Sequence, residues 1–97
     1  MYIFRLSGEY IGFMKDAKFY STNGEYCGWL EGEHVWDKEG FYRGKMVTLN
    51  DHTYILKDTL LVDPPQRPLK NESPTEQLQP QLNIDPLTQP FNIKDSF

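Results

Sequence analysis

The chain has 97 residues, one cysteine, and 14 acidic against 10 basic side chains, for a net charge of −4. That length fits one domain, and a single thiol rules out an internal disulfide. Acids outnumber bases in residues 1–62 (nine to seven) and in the remainder (five to three), which excludes the basic stripe that phosphate-backbone binding requires.

Met1-Tyr2-Ile3-Phe4-Arg5 has no apolar core of the length a leader peptide needs, and no later run approaches membrane-spanning length. With Cys27 free, a cytoplasmic location is expected. Cys27 itself reads as an ordinary sheet residue.

Three glycine-bracketed segments then recur every 16 residues: Gly8-Glu9-Tyr10-Ile11-Gly12, Gly24-Glu25-Tyr26-Cys27-Gly28 and Gly40-Phe41-Tyr42-Arg43-Gly44. Such in-phase repetition means the chain is built from copies of one small unit. An aromatic residue stands four positions before the first glycine of each copy (Phe4, Tyr20, Trp36), and an apolar one two positions after the second (Met14, Leu30, Met46). Polar turns follow at Lys15–Lys18, Glu31–His34 and Leu49–His52. A two-residue slip at the third turn places Tyr54 in the aromatic column and suggests a degenerate fourth copy, Thr53 to Val62, that lacks the glycines.

Each copy reads as a β-hairpin. Ser7-Gly8, Asn23-Gly24 and Glu39-Gly40 are turn signals, and their flanks carry the aromatic and β-branched residues that strands favour. An isolated hairpin is marginal in water, so four of them are expected to share one core around a common axis. The predicted fold is all-β: four 16-residue hairpins about a pseudo-four-fold axis over residues 1–62, followed by an extended, Pro- and Gln-rich tail over 63–97. The aromatic column is expected to face inward, and the second glycine of each pair to allow close approach of neighbouring hairpins.

The tail has a period of its own. Pro68, Pro74, Pro80 and Pro86 fall six residues apart, which would align them on one face of a polyproline II helix. Leu69, Leu78, Leu82, Ile84, Leu87, Phe91, Ile93 and Phe97 are more large apolar groups than a solvated linker needs. The tail is therefore expected to dock on its own body, a sister subunit or a partner, with Phe91 to Phe97 as an end anchor.

The aromatic-x-x-x-Gly-x-Tyr-x-Gly units, as in Tyr20 to Trp29, the joining stretch Leu30 to Asp37 and the closing segment Tyr54 to Thr59 before Pro64-Pro65 together resemble the four-fold β-flower domain of bacterial proteins. The resemblance covers the whole body and, more loosely, the tail, where Gln, Asn and acids replace a denser proline run. It implies four petals about a pseudo-four-fold axis and implies no chemistry. Gly24 to Trp29 also shares a Gly-x-Tyr-x-Gly-x-Trp run with membrane-occupation-and-recognition-nexus repeats, but those repeats are longer and copies one and three lack the tryptophan.

Three functional classes follow. The first is a non-enzymatic interaction or assembly module, with Trp29, Trp36, Phe41, Tyr42, Phe91 and Phe97 as candidate contacts and an unidentified protein partner, or self-association through the tail into a homo-oligomer. The second is a small-ligand receptor in which Phe4, Tyr20, Trp36 and Tyr54 form an axial aromatic box; the competing reading is that these rings simply fill the core. The third is an enzyme using His34, His52, Asp37 and Asp51, for which no nucleophile constellation or phosphate-cradling loop is present. No catalytic residue, metal site, cofactor, nucleic acid or membrane is implied.

Overall fold

The computed structural model describes residues 1–97. It contains eight strands and no helix: β1 (Tyr2–Phe4), β2 (Tyr10–Lys15), β3 (Lys18–Ser21), β4 (Tyr26–Glu31), β5 (His34–Asp37), β6 (Tyr42–Leu49), β7 (His52–Asp58) and β8 (Ile93–Asp95). Each strand pairs antiparallel with the next, and a short parallel pairing of β1 with β7, Ile3 to Thr53 and Phe4 to Tyr54, closes the first seven into a ring. Closure leaves few unpaired strand edges. The molecule is flattened, 35 × 33 × 17 Å.

The three glycine units fold alike. Arg5, Ser21 and Asp37 each accept a bond at 2.8–2.9 Å from the amide of Gly8, Gly24 or Gly40, and each donates to the carbonyl of Glu9, Glu25 or Phe41. In these turns only the glycine has positive φ, at 94°, 80° and 92°. The tight two-residue loops lie instead between copies, at Asp16-Ala17, Gly32-Glu33 and Asn50-Asp51; in the first and third both residues have φ between 50° and 66° as the favoured hairpin turn requires, and in the second only Gly32 does, at 61°.

The register corrects the aromatic column. Met14 pairs with Phe19, Leu30 with Val35 and Met46 with Ile55. Ile55 and Leu56 are thus the counterparts of Phe19-Tyr20 and Val35-Trp36, so the slip in the third hairpin is four residues and Tyr54 lies outside the column. The cause is length: Gly12 stands three residues before the last paired residue of its strand (Lys15), Gly44 five before Leu49.

The column also faces the other way. Successive strand residues point to opposite faces, and the interior takes the residue before each column position: Ile3, Phe19, Val35 and Ile55, one from each copy, all 2 % exposed or less and packed with Met14. The aromatic rings lie on the opposite face. The second glycines do permit close approach, because a Cβ at Gly12, Gly28 or Gly44 would overlap the carbonyl oxygen of Tyr20, Trp36 or Leu56.

The fourth copy has only one strand of its own. β7 ends at Asp58, whose carboxylate accepts bonds from the Leu60 amide (3.0 Å) and the Asn92 side chain (2.9 Å), and Leu60, Leu61 and Val62 turn out into solvent. The missing strand comes from the far end of the sequence: β8 pairs with β7, Leu56 to Asp95 and Asp58 to Ile93.

Candidate interaction site

Between Val62 and Pro90 the chain has no regular secondary structure, and it runs along the three glycine turns as a strap. Its amides at Arg67, Thr75 and Ile84 donate to the carbonyls of Gly40, Gly24 and Gly8 at 2.8–2.9 Å, visiting the copies in reverse order. The same residues present their carbonyl oxygens to the glycine Cα atoms so closely that any Cβ there would overlap them. The first glycine of each unit is therefore a seat for the strap as well as a turn. The seats are eight and nine residues apart along the strap, so the contacts do not follow the six-residue proline period. Two further bonds repeat the pattern, Lys70 amide to Lys38 carbonyl (3.1 Å) and Leu87 amide to Leu6 carbonyl (2.8 Å).

Strap side chains cap the outward-facing aromatic rings copy by copy. Arg67 lies over Trp36 of the third copy, 4.2 Å from the ring centre, and Lys70 lies 4.8 Å over Trp29 at the end of the second. Both cations also pair with Glu31, whose carboxylate accepts the Trp29 indole N–H at 2.9 Å. Leu78 packs on the cluster of Tyr20 and Tyr26 in the second copy and Phe13 at the end of the first. Ile84 and Leu87 pack on the cluster of Phe4 and Tyr10 in the first, and Ile93 packs on the same cluster, which also holds Tyr54 and Leu56. Lys18 and Glu72 add an ion pair at 3.2 Å.

The end of the strap is anchored more elaborately. The Phe97 ring packs 4.8 Å from Phe19, against the interior cluster, with the Arg43 guanidinium 4.0 Å above it. Arg43 also bonds the Ser96 hydroxyl and carbonyl, Arg5 Nε donates to the Phe97 carbonyl (2.9 Å), and the Leu6 amide donates to the Asp95 carboxylate (2.8 Å).

This arrangement separates the residues singled out from sequence. Trp29 and Trp36 are buried under the strap, stacked on each other at 6.4 Å, and Tyr42 and Phe97 are half-buried. Only Phe41 and Phe91 are exposed, at 49 % and 79 %. The four rings of the proposed axial box do not meet: Phe4 and Tyr54 share one cluster, Tyr20 sits in another, and Trp36 packs with Trp29 and Tyr42. The position they would occupy belongs to Ile3, Phe19, Val35 and Ile55. His34 Nδ1 bonds the Tyr42 hydroxyl (2.8 Å), whereas His52 packs edge-on against Phe4. No group of three or more His, Cys, Asp or Glu side chains converges, and no helix is long and apolar enough to cross a membrane.

The open surface lies where the repeat fails. Leu60, Leu61 and Val62 are 69 %, 67 % and 96 % exposed. Beside them a groove of about 360 Å³ is lined by Val47, Leu49, Leu56, Leu61, Val62 and Ile93, with Lys45, Lys57 and Asp63 among its polar groups. The strap returns to this seam at Asn92, the residue after Phe91, whose carbonyl accepts the Thr59 amide at 2.8 Å. Sequence reading passed over this seam by taking residues 59–62 as repeat; the signal was three consecutive large apolar residues without alternation.

Burial pushes the phenol groups of Tyr10, Tyr26, Tyr42 and Tyr54 above their usual value. Burial likewise raises the Cys27 thiol, against the opposing effect of a backbone bond at Ser21, so it is not an activated nucleophile. The Asn92 side-chain bond, with the Leu60 amide, holds the Asp58 carboxyl below the usual carboxylate value. Residues 1–94 match the family model described as 4-fold beta flower protein. No curated protein and no solved structure matches the chain.

Proposed function

Because the chain belongs to the 4-fold β flower family, a membership that brings a fold and no chemistry, we propose that it is a non-enzymatic interaction or assembly module whose contact surface is the seam between its third and fourth copies. The observation that carries this reading is the run Leu60-Leu61-Val62, at 67–96 % exposure, beside an apolar groove. Contiguous exposed apolar surface of this kind marks a binding site more often than an isolated exposed side chain does. The strap covers the other aromatic clusters, and of the large apolar side chains still exposed only Leu60, Leu61 and Val62 are consecutive. A cytoplasmic setting fits the unpaired thiol of Cys27.

The test is a comparison of the wild-type chain with L61D/V62D, both full length, each used to capture proteins from lysate of the natural host under native mass spectrometry. Both side chains are exposed, so the double variant is expected to fold normally and to lose the species that wild type retains. Identical retained species for the two proteins would rule the seam out as the contact surface.

A second reading, a small apolar ligand, is supported by the groove volume, which lies at the lower end of the range for small-molecule sites. It moves the ligand from the axis to the seam. An extra mass of a few hundred daltons, retained by wild type and absent from the double variant, distinguishes it from a protein partner.

A further inference from the structure

The strap behaves as a peptide ligand of the body that happens to be tethered to it. It reaches the body through amide-to-carbonyl bonds at Gly40, Gly24 and Gly8, side chains laid on aromatic clusters, and a terminal strand on the edge of β7. Each seat asks only for an extended backbone with a free amide, and nothing in it distinguishes the strap of one molecule from that of another. We propose that the seats and the β7 edge form an exchangeable strap-binding surface, and that two copies of the chain pair by exchanging residues 63–97. This deepens the assembly reading above by naming the partner as a second copy, and it rests on that reading for the role of the seam.

The connector supports this choice of occupant. In an exchanged pair every seat is filled by the same contacts as in the single molecule, so association must be driven by what is new, and that is the connector itself. Leu60, Leu61 and Val62 turn away from the body they follow. When the strap crosses to the second body, two such segments run side by side and remove their apolar side chains from water. Reach sets the geometry. Arg67 is five residues on from Val62, about 18 Å fully extended, so the Gly40 seat of the second copy must lie within that distance and the two seams must face each other. The Lys57–Asp63 ion pair at 2.7 Å, which holds the connector against its own body, must open.

Of the ion pairs that join strap to body, two link a lysine and a glutamate beyond the connector, Lys18–Glu72 at 3.2 Å and Lys70–Glu31 at 3.7 Å, and both can be sealed by a zero-length carbodiimide without substitution. Equal amounts of ¹⁵N-labelled and unlabelled wild-type chain are unfolded together, refolded at high concentration, cross-linked and digested. Exchange predicts cross-linked Lys18–Glu72 and Lys70–Glu31 peptides with one heavy and one light half, approaching about half of all such peptides in a fully exchanged pair. Cross-linked peptides that are always uniformly heavy or uniformly light overturn the proposal. So does sedimentation of the unmodified protein as a single 11.4 kDa species at every concentration. Either result leaves the seam to be judged by L61D/V62D, so failure of exchange and failure of the seam reading are separable.

Discussion

Body and strap are held by different physics. The body is a closed sheet around an interior built on one fully buried residue from each copy together with Met14. The strap is exposed along most of its length and held at intervals by single backbone bonds, a few half-buried apolar side chains and two cations over indoles. Body stability is therefore cooperative, whereas the strap's is divided among separate points, each contributing about 0.5–1.5 kcal/mol for a hydrogen bond or less for an exposed cation–π pair. The comparison teaches that a repeat body can leave aromatic surface on every copy and have a non-repeating segment cover it.

The largest expected effect is on the body. Trp36→Ala removes a buried ring that stacks on Trp29 and carries Arg67, and should cost about 3–5 kcal/mol in chemical denaturation. Retention of wild-type stability would mean that the outer aromatic clusters are not part of the core.

Alkaline pH should also act mainly on the body. Burial raises the phenols of Tyr10, Tyr26, Tyr42 and Tyr54 in the folded state, so the stability they contribute is complete below the unfolded phenol value, about 10, and is lost as pH rises through the folded values. Thermal melts above pH 10 should fall steeply and together with tyrosinate absorbance; ionisation that precedes unfolding would place the rings in solvent.

Glycine substitutions sharpen the contrast at a single atom. Gly24 and Gly32 both have positive φ, at 80° and 61°, but a Cβ at Gly24 overlaps the Thr75 carbonyl, whereas one at Gly32 meets nothing within 4 Å. Gly32→Ala should cost about 1 kcal/mol from backbone conformation alone. Gly24→Ala should cost more and should speed amide exchange around Thr75. Equal costs and equal exchange would deny that the glycine seats the strap.

Smaller still is Arg67→Met, which keeps the apolar stem over Trp36 and removes the charge. It should lower stability by less than about 1 kcal/mol while increasing Trp36 solvent quenching. The smallest effect is at Asp58, whose folded-state value is depressed by Asn92. Its contribution is present above the unfolded carboxylate value, about 3.9, and is lost as pH falls through the folded one. NMR signals of Thr59 and Asn92 should shift below that pH before the body does, and Asp58→Asn should abolish the separate shift.

The fold was largely legible because its signals are local. Gly-x-Tyr-x-Gly spacing, strand-forming flanks and turn dipeptides identify three hairpins within sixteen residues of sequence each. The fourth was misread because its second strand lies beyond a long connection, and because the register of β6 and β7 is set by pairing across strands, which one strand's sequence does not display. The candidate site was less legible. Trp29 and Trp36 look like contact residues until Arg67 and Lys70 lie over them, and Leu60 to Val62 look like a strand until Asp58 turns the chain.

By itself the sequence determined the repeat, the turns and the close approaches at Gly12, Gly28 and Gly44, since each depends on φ or on the room a missing Cβ leaves. Only the tertiary structure decided which face of each strand became the interior, where the strap lies and what supplies the eighth strand. Strand alternation defines two faces without ranking them. Ile3, Phe19, Val35 and Ile55 became the centre because four strands converge there and the strap, arriving from far along the chain, covered the other face.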